Sequence, residues 1–138
     1  RGANAGCFVA PTIIEMDSIL DLKRENFGPI LHVVRYKAAD LERVIEDINA
    51  TGFGLTMGLH SRNDDTRAFV ESRIKVGNFY VNRNQIGAVV ESQPFGGEGL
   101  SGTGPKAGGP HYVQRFATER VVSIDTTAAG GNATLLAS

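Results

Sequence analysis

One cysteine in 138 residues excludes an internal disulfide and fits a reducing compartment. No sign of charge dominates either. Fourteen Lys and Arg stand against 15 Asp and Glu, a formal net charge of -1. That balance removes the electrostatic case for contact with nucleic acid or an anionic membrane. No apolar run approaches the roughly 18 residues of a spanning helix. No basic stretch leads into an apolar run of the signal-peptide kind. Metal-ligand spacing is missing too. His32, His60 and His111 are widely separated, with no second cysteine nearby, so no metal site is expected.

What is present is a hydrophobic fraction of 41%, enough for a core of single-domain size. Glycine is abundant: seven of the 17 fall within residues 94–110. Both ends have the character of cut points. The chain opens in the small-residue stretch RGANAG and closes on AAGGNATLLAS, where an apolar group has only begun. The expectation is a piece of a longer protein.

The pattern along the chain predicts alternating strands and helices. Residues 8–14 are apolar and β-rich but interrupted by Pro11, which demotes them to an edge strand or extended arm. Residues 16–23 suit a short helix. Residues 30–36 (ILHVVRY) read as a buried strand. Leu41, Val44, Ile45 and Ile48 follow the i, i+3, i+4, i+7 spacing of a helix that Asp40 can cap and Gly52 follows. A strand over 55–60 comes next. Asn63-Asp64-Asp65 then starts a second helix, with Phe69, Val70 and Ile74 on its core side and Gly77 suited to a left-handed residue after it. Residues 78–82 (NFYVN) form another strand, 94–110 a loop, and 120–125 (RVVSID) a late strand; 112–117 fit no single element. The implied architecture is α/β, an open parallel sheet with flanking helices. Parallel strands need cover on both faces, and two helices cover part of such a sheet, so further structure is expected upstream.

Two features invite functional readings that their context does not support. Gly97-Glu98-Gly99-Leu100-Ser101-Gly102 fits G-x-G-x-x-G, but Gly104-Pro105 follows where a dinucleotide fingerprint would open an apolar-periodic helix. Cys7 sits in Gly6-Cys7-Phe8 with no acidic or histidine neighbour to activate a thiolate, so it is expected to be a buried small hydrophobe rather than a nucleophile.

Several segments, in order, carry a resemblance. Gly6-Cys7-Phe8-Val9-Ala10-Pro11-Thr12 is similar to the G-x-F-x-x-P-T segment of the aldehyde dehydrogenase family, and Glu25-Asn26-Phe27-Gly28-Pro29 to its E-x-F-G-P motif. Gly52-Phe53-Gly54-Leu55-Thr56 resembles the Y-G-L segment that follows. Gly77-Asn78 with Asn82, then Pro94-Phe95-Gly96-Gly97 and Ser101-Gly102, resembles the closing pattern. Residues 84–112 are similar to the glutamate-semialdehyde dehydrogenases, above all those of the bifunctional proline utilization group; Glu91-Ser92 departs from the expected glycine and apolar or amide residue.

The resemblance implies a partial catalytic domain over residues 1–118, with 119–138 a terminal strand and linker toward a further domain. It implies an NAD-dependent oxidation of L-glutamate γ-semialdehyde in a cytoplasmic enzyme, or one held peripherally at the inner membrane through other modules. FAD enters only if a proline dehydrogenase module precedes. The cysteine nucleophile and general base would lie upstream, so no catalytic residue is expected here and the segment alone is expected to be inactive. Glu25 would accept both hydroxyls of the nicotinamide ribose, and Phe27 would pack beside it. Gly87 and Ala88 would bind the substrate's α-carboxylate through backbone N–H groups, and Phe95 would lie against its aliphatic chain. Expected partners are the semialdehyde, the upstream remainder of the chain and a second copy met through the terminal strand. The competing readings are a non-catalytic interaction or scaffold module of the same fold and, last, a small nucleotide-binding domain.

Overall fold

The computed structural model describes residues 6–87, 91–102 and 104–125. Pro11 delays the first strand, as a residue without an N–H should, and β1 runs over Thr12–Met16. The segment after it forms one 3-10 turn, Ile19–Asp21, started by Ser18, whose hydroxyl accepts the Leu20 N–H at 3.1 Å. It then returns the chain to β2, Ile30–Val34, which pairs parallel with β1.

Helix α1, Leu41–Ala50, follows the apolar spacing, with Ile45 buried at its centre. Its start differs from expectation. A 3-10 turn over Ala38–Asp40 runs straight into it, and Asp40 makes no side-chain capping bond. The Asp40 carboxylate lies 3.9 Å from Arg43 instead. Gly52 ends the segment at φ 77° and leads into β3, Phe53–Gly54, and β4, Thr56–Leu59. Helix α2, Asp64–Glu71, has the cap its sequence predicts: the Asn63 carboxamide oxygen accepts from the N–H groups of Asp65 at 2.8 Å and Thr66 at 3.2 Å. Val70 is buried, while Phe69 and Ile74 are half-buried. Strand β5, Asn78–Val81, pairs parallel with β4, and α2 is the crossover that this pairing requires.

The α/β architecture with parallel strands is therefore present, but not as one continuous sheet. Among the described residues, β1–β2 and β4–β5 are separate parallel pairs. A third pair is antiparallel: β6, Glu98–Gly99, lies inside the glycine-rich stretch and pairs with β3. Phe95 and Ala107 form an isolated bridge in the same stretch. Residues 94–110 are thus not a plain loop. A two-residue ladder through glycines has no alternating pattern by which a sequence could announce it.

Gly77 is also corrected. It does not adopt a left-handed conformation. A Cβ there would lie 1.8 Å from the Gly96 carbonyl oxygen, so glycine is required by close backbone approach. Residues 120–125 are all exposed, and among the described residues they form no strand, so the expected strand is not seen in the chain by itself; residues 112–117 hold a 3-10 turn, Val113–Phe116.

The core is small for the chain's mass. Ile45, Val70 and Tyr80 are its buried side chains among the described residues. Ile13 is 73% exposed and Leu31 58%, so β1 and β2 present apolar side chains without cover. Among the described residues no helix is long and apolar enough to cross a membrane.

Candidate functional site

Three loops meet where the candidate residues cluster, and backbone contacts join them. The Gly77 N–H donates to the Gly54 carbonyl at 3.0 Å, and the Leu100 N–H to the Gly52 carbonyl at 2.9 Å. The Ser101 hydroxyl accepts the Gly54 N–H at 3.1 Å. From the other side Asn49 staples α1 to the turn after α2. Its carboxamide donates to the Arg73 carbonyl at 2.9 Å and accepts the Lys75 N–H at 2.8 Å.

A cleft of about 490 Å³ opens beside this junction, lined among others by Glu25, Asn26, His32, Phe53, Thr56 and Ser101. Glu25 is its one carboxylate among the described lining residues and is exposed to it. Phe27 is 95% exposed and does not line the cleft. The volume lies in the range of small-molecule and cofactor sites.

The second cluster forms around Phe95. Its N–H donates to the Ala107 carbonyl at 3.0 Å, and the Ala107 N–H donates back at 2.9 Å. Its ring lies against Gly87, where an added Cβ would sit 3.2 Å from the ring's Cζ. Gly87 and Phe95 are therefore brought together. Neither lines the cleft of Glu25. Ala88 lies outside the described residues.

Three carboxamides hold these loops; the sequence sets Asn78 and Asn82 in the family-like pattern without a role and shows no sign of Asn49. Asn49 is one. Asn78 donates to the Pro94 carbonyl at 3.0 Å and accepts the Gly96 N–H at 3.1 Å. Asn82, at φ 55°, accepts the Ser61 N–H and donates to its carbonyl, both at 2.9 Å, adding a side-chain rung where the β4–β5 ladder stops. Their partners lie 16 to 26 residues away, so no local pattern announces them. Gln93 donates to the hydroxyl of the buried Tyr80 at 3.0 Å and ties the preceding loop to β5.

Cys7 is exposed, contrary to the expectation that it is buried; the stretch 6–14 that contains it is exposed throughout. Among the described residues no group of three or more His, Cys, Asp or Glu could hold a metal ion.

The chain matches the family model described as "Aldehyde dehydrogenase family" over residues 1–122. It is 66% identical over 113 residues to the "Bifunctional protein PutA" of Rhizobium meliloti, covering 82% of this chain and 9% of that protein. It is 38% identical over 124 residues to the mitochondrial "Delta-1-pyrroline-5-carboxylate dehydrogenase" of Bos taurus, covering 86% of this chain and 22% of that one. A crystal structure of a mutant Bradyrhizobium japonicum proline utilization A (PutA) superposes with a TM-score of 0.81 at 62% identity, over 92% of this chain and 13% of the other. The chain thus spans a small fraction of each relative's length.

Proposed function

The chain belongs to the aldehyde dehydrogenase family, and from that premise we propose that it is the part of an NAD-dependent L-glutamate γ-semialdehyde dehydrogenase of proline catabolism that walls the nicotinamide-ribose and substrate-carboxylate sites. The observation that carries this reading is the packing of Gly87 on the Phe95 ring. It sets a backbone that an anion can approach beside an apolar face that fits the substrate's methylene chain. An amino-acid semialdehyde carries both features.

Glu25 serves the cofactor side. Its cleft is of suitable size, and a carboxylate with two acceptor oxygens matches the paired hydroxyls of a ribose. Phe27, 95% exposed in the chain by itself, packs beside the ribose as the apolar neighbour of Glu25. When bound, NAD+ accepts hydride from the substrate. The work of these residues is to bind and orient. Gly87 and Ala88 hold the α-carboxylate through N–H groups, Phe95 excludes water from the chain, and Glu25 fixes the ribose. The nucleophile is supplied by another part of the parent, and this segment alone does not turn over aldehydes. The parent is cytoplasmic, and residues 119–138 link it onward; FAD belongs to the parent only if it also carries a proline dehydrogenase module.

Gly87→Val in the full-length enzyme tests the reading. The branched side chain blocks approach to the backbone and presses on the Phe95 ring. KM for glutamate semialdehyde should rise by about 100-fold, with a much smaller effect on pentanal, which lacks the carboxylate. Equal losses on both aldehydes would assign Gly87 to folding and remove the anchor.

A further inference from the structure

We propose that Asn78 is the positioning residue for the Phe95 wall, and that its carboxamide sets how tightly the aldehyde is held. The inference rests on the reading of Phe95 as a substrate wall. Phe95 is pinned from two sides. Ala107 holds its own N–H and carbonyl at 3.0 and 2.9 Å. On the opposite side one side chain grips both neighbours: Asn78 donates to the Pro94 carbonyl at 3.0 Å and accepts the Gly96 N–H at 3.1 Å. Donor and acceptor sit at one end of a short side chain, so the carboxamide stands in for a β-sheet rung across residues 94–96.

Other residue types fail there for stated reasons. An aspartate cannot donate to Pro94 and turns a negative oxygen toward its carbonyl. A leucine of similar shape makes neither bond. The adjoining Gly77 lies backbone to backbone with Gly96, where a Cβ would be 1.8 Å from the carbonyl oxygen. The strip therefore has one seating. From that seating the Phe95 ring reaches Gly87. Freeing the strip moves the ring, and with it the shape of the pocket for the methylene chain. Asn78 does not line the cleft of Glu25, so the cofactor side should not feel the change.

The test uses the full-length enzyme with Asn78→Leu and Asn78→Asp, and steady-state kinetics on glutamate semialdehyde, pentanal and NAD+. Both variants should raise KM for the aldehydes about 10-fold, because a displaced wall weakens positioning. The values of kcat and of KM for NAD+ should stay within about twofold. Unchanged aldehyde KM in both variants overturns the proposal. So does a rise in KM for NAD+ by the same factor, which would mean general loosening. If neither variant yields folded enzyme, Asn78 belongs to the fold and the proposal also fails. Failure of the underlying reading is separate: it would appear in the unsubstituted enzyme as no preference for the semialdehyde over pentanal.

Discussion

A single methyl at Gly77 should be the most damaging small change in this chain. An ideal Cβ there lies 1.8 Å from the Gly96 carbonyl oxygen, 2.7 Å from its carbon and 2.8 Å from the Gly97 Cα. All three are main-chain atoms, so no side-chain rotation relieves the clash. A carbon–oxygen contact needs about 3.3 Å, and the two strips must part by about 1.5 Å. That displacement threatens the Gly77-to-Gly54 bond and the Asn78 pair. Overpacking costs about 1–3 kcal/mol, and each lost hydrogen bond adds about 0.5–1.5 kcal/mol. With two of these three bonds lost, the total is about 4 kcal/mol, or roughly a thousandfold in an opening equilibrium. Gly104→Ala is the control, since nothing lies within 4 Å of its Cβ position and its φ is not positive. It should be neutral to within about 0.5 kcal/mol. Hydrogen exchange read by mass spectrometry on the full-length enzyme, over peptides covering residues 52–56 and 94–102, measures the difference. Equal protection in the two variants would refute the argument that glycine at 77 answers to backbone contact.

Glu25→Gln in the same enzyme should raise KM for NAD+ about 10-fold, as a charged acceptor becomes a neutral amide, with little change in KM for the aldehyde; unchanged cofactor kinetics would remove Glu25 from the site. Asn63→Ala should loosen α2 by about 1 kcal/mol through loss of its two capping bonds, visible as faster exchange in residues 64–71 and nowhere else. The chain alone should self-associate through residues 119–138, since exposed Val121, Val122 and Ile124 have no cover. Sedimentation with and without that segment checks this, and two monomers of equal stability would end the idea.

The sequence revealed those elements whose cause is local. The spacing of Leu41, Val44, Ile45 and Ile48 is a property of eight consecutive residues, and the Asn63 cap is as local. The first strand was only half legible: the apolar run over 8–14 predicts an edge strand broken by Pro11, whereas β1 begins after the proline, at Thr12–Met16. What it hid depends on distant backbone. The β3–β6 pairing joins residues more than 40 positions apart and runs through glycines that carry no hydrophobic signal. Asn49, Asn78 and Asn82 are ordinary polar residues until their partners are in place. Gly77 reads in the sequence as a turn glycine, whereas it is a contact glycine, and the two look alike until Gly96 is beside it. Of the candidate site, the pairing of Gly87 with Phe95 needed the folded chain to be seen.

The uncovered surface has a consequence for dividing the enzyme. Ile13, Phe27, Leu31, Leu100 and Phe116 are each more than half exposed, and such apolar surface in a folded chain marks an interaction face. The rest of the catalytic domain should therefore act on this segment as a tight ligand acts on a weak receptor, stabilising it in proportion to the logarithm of its concentration. A break placed just before this segment should give two polypeptides that find each other and restore a working enzyme by fragment complementation.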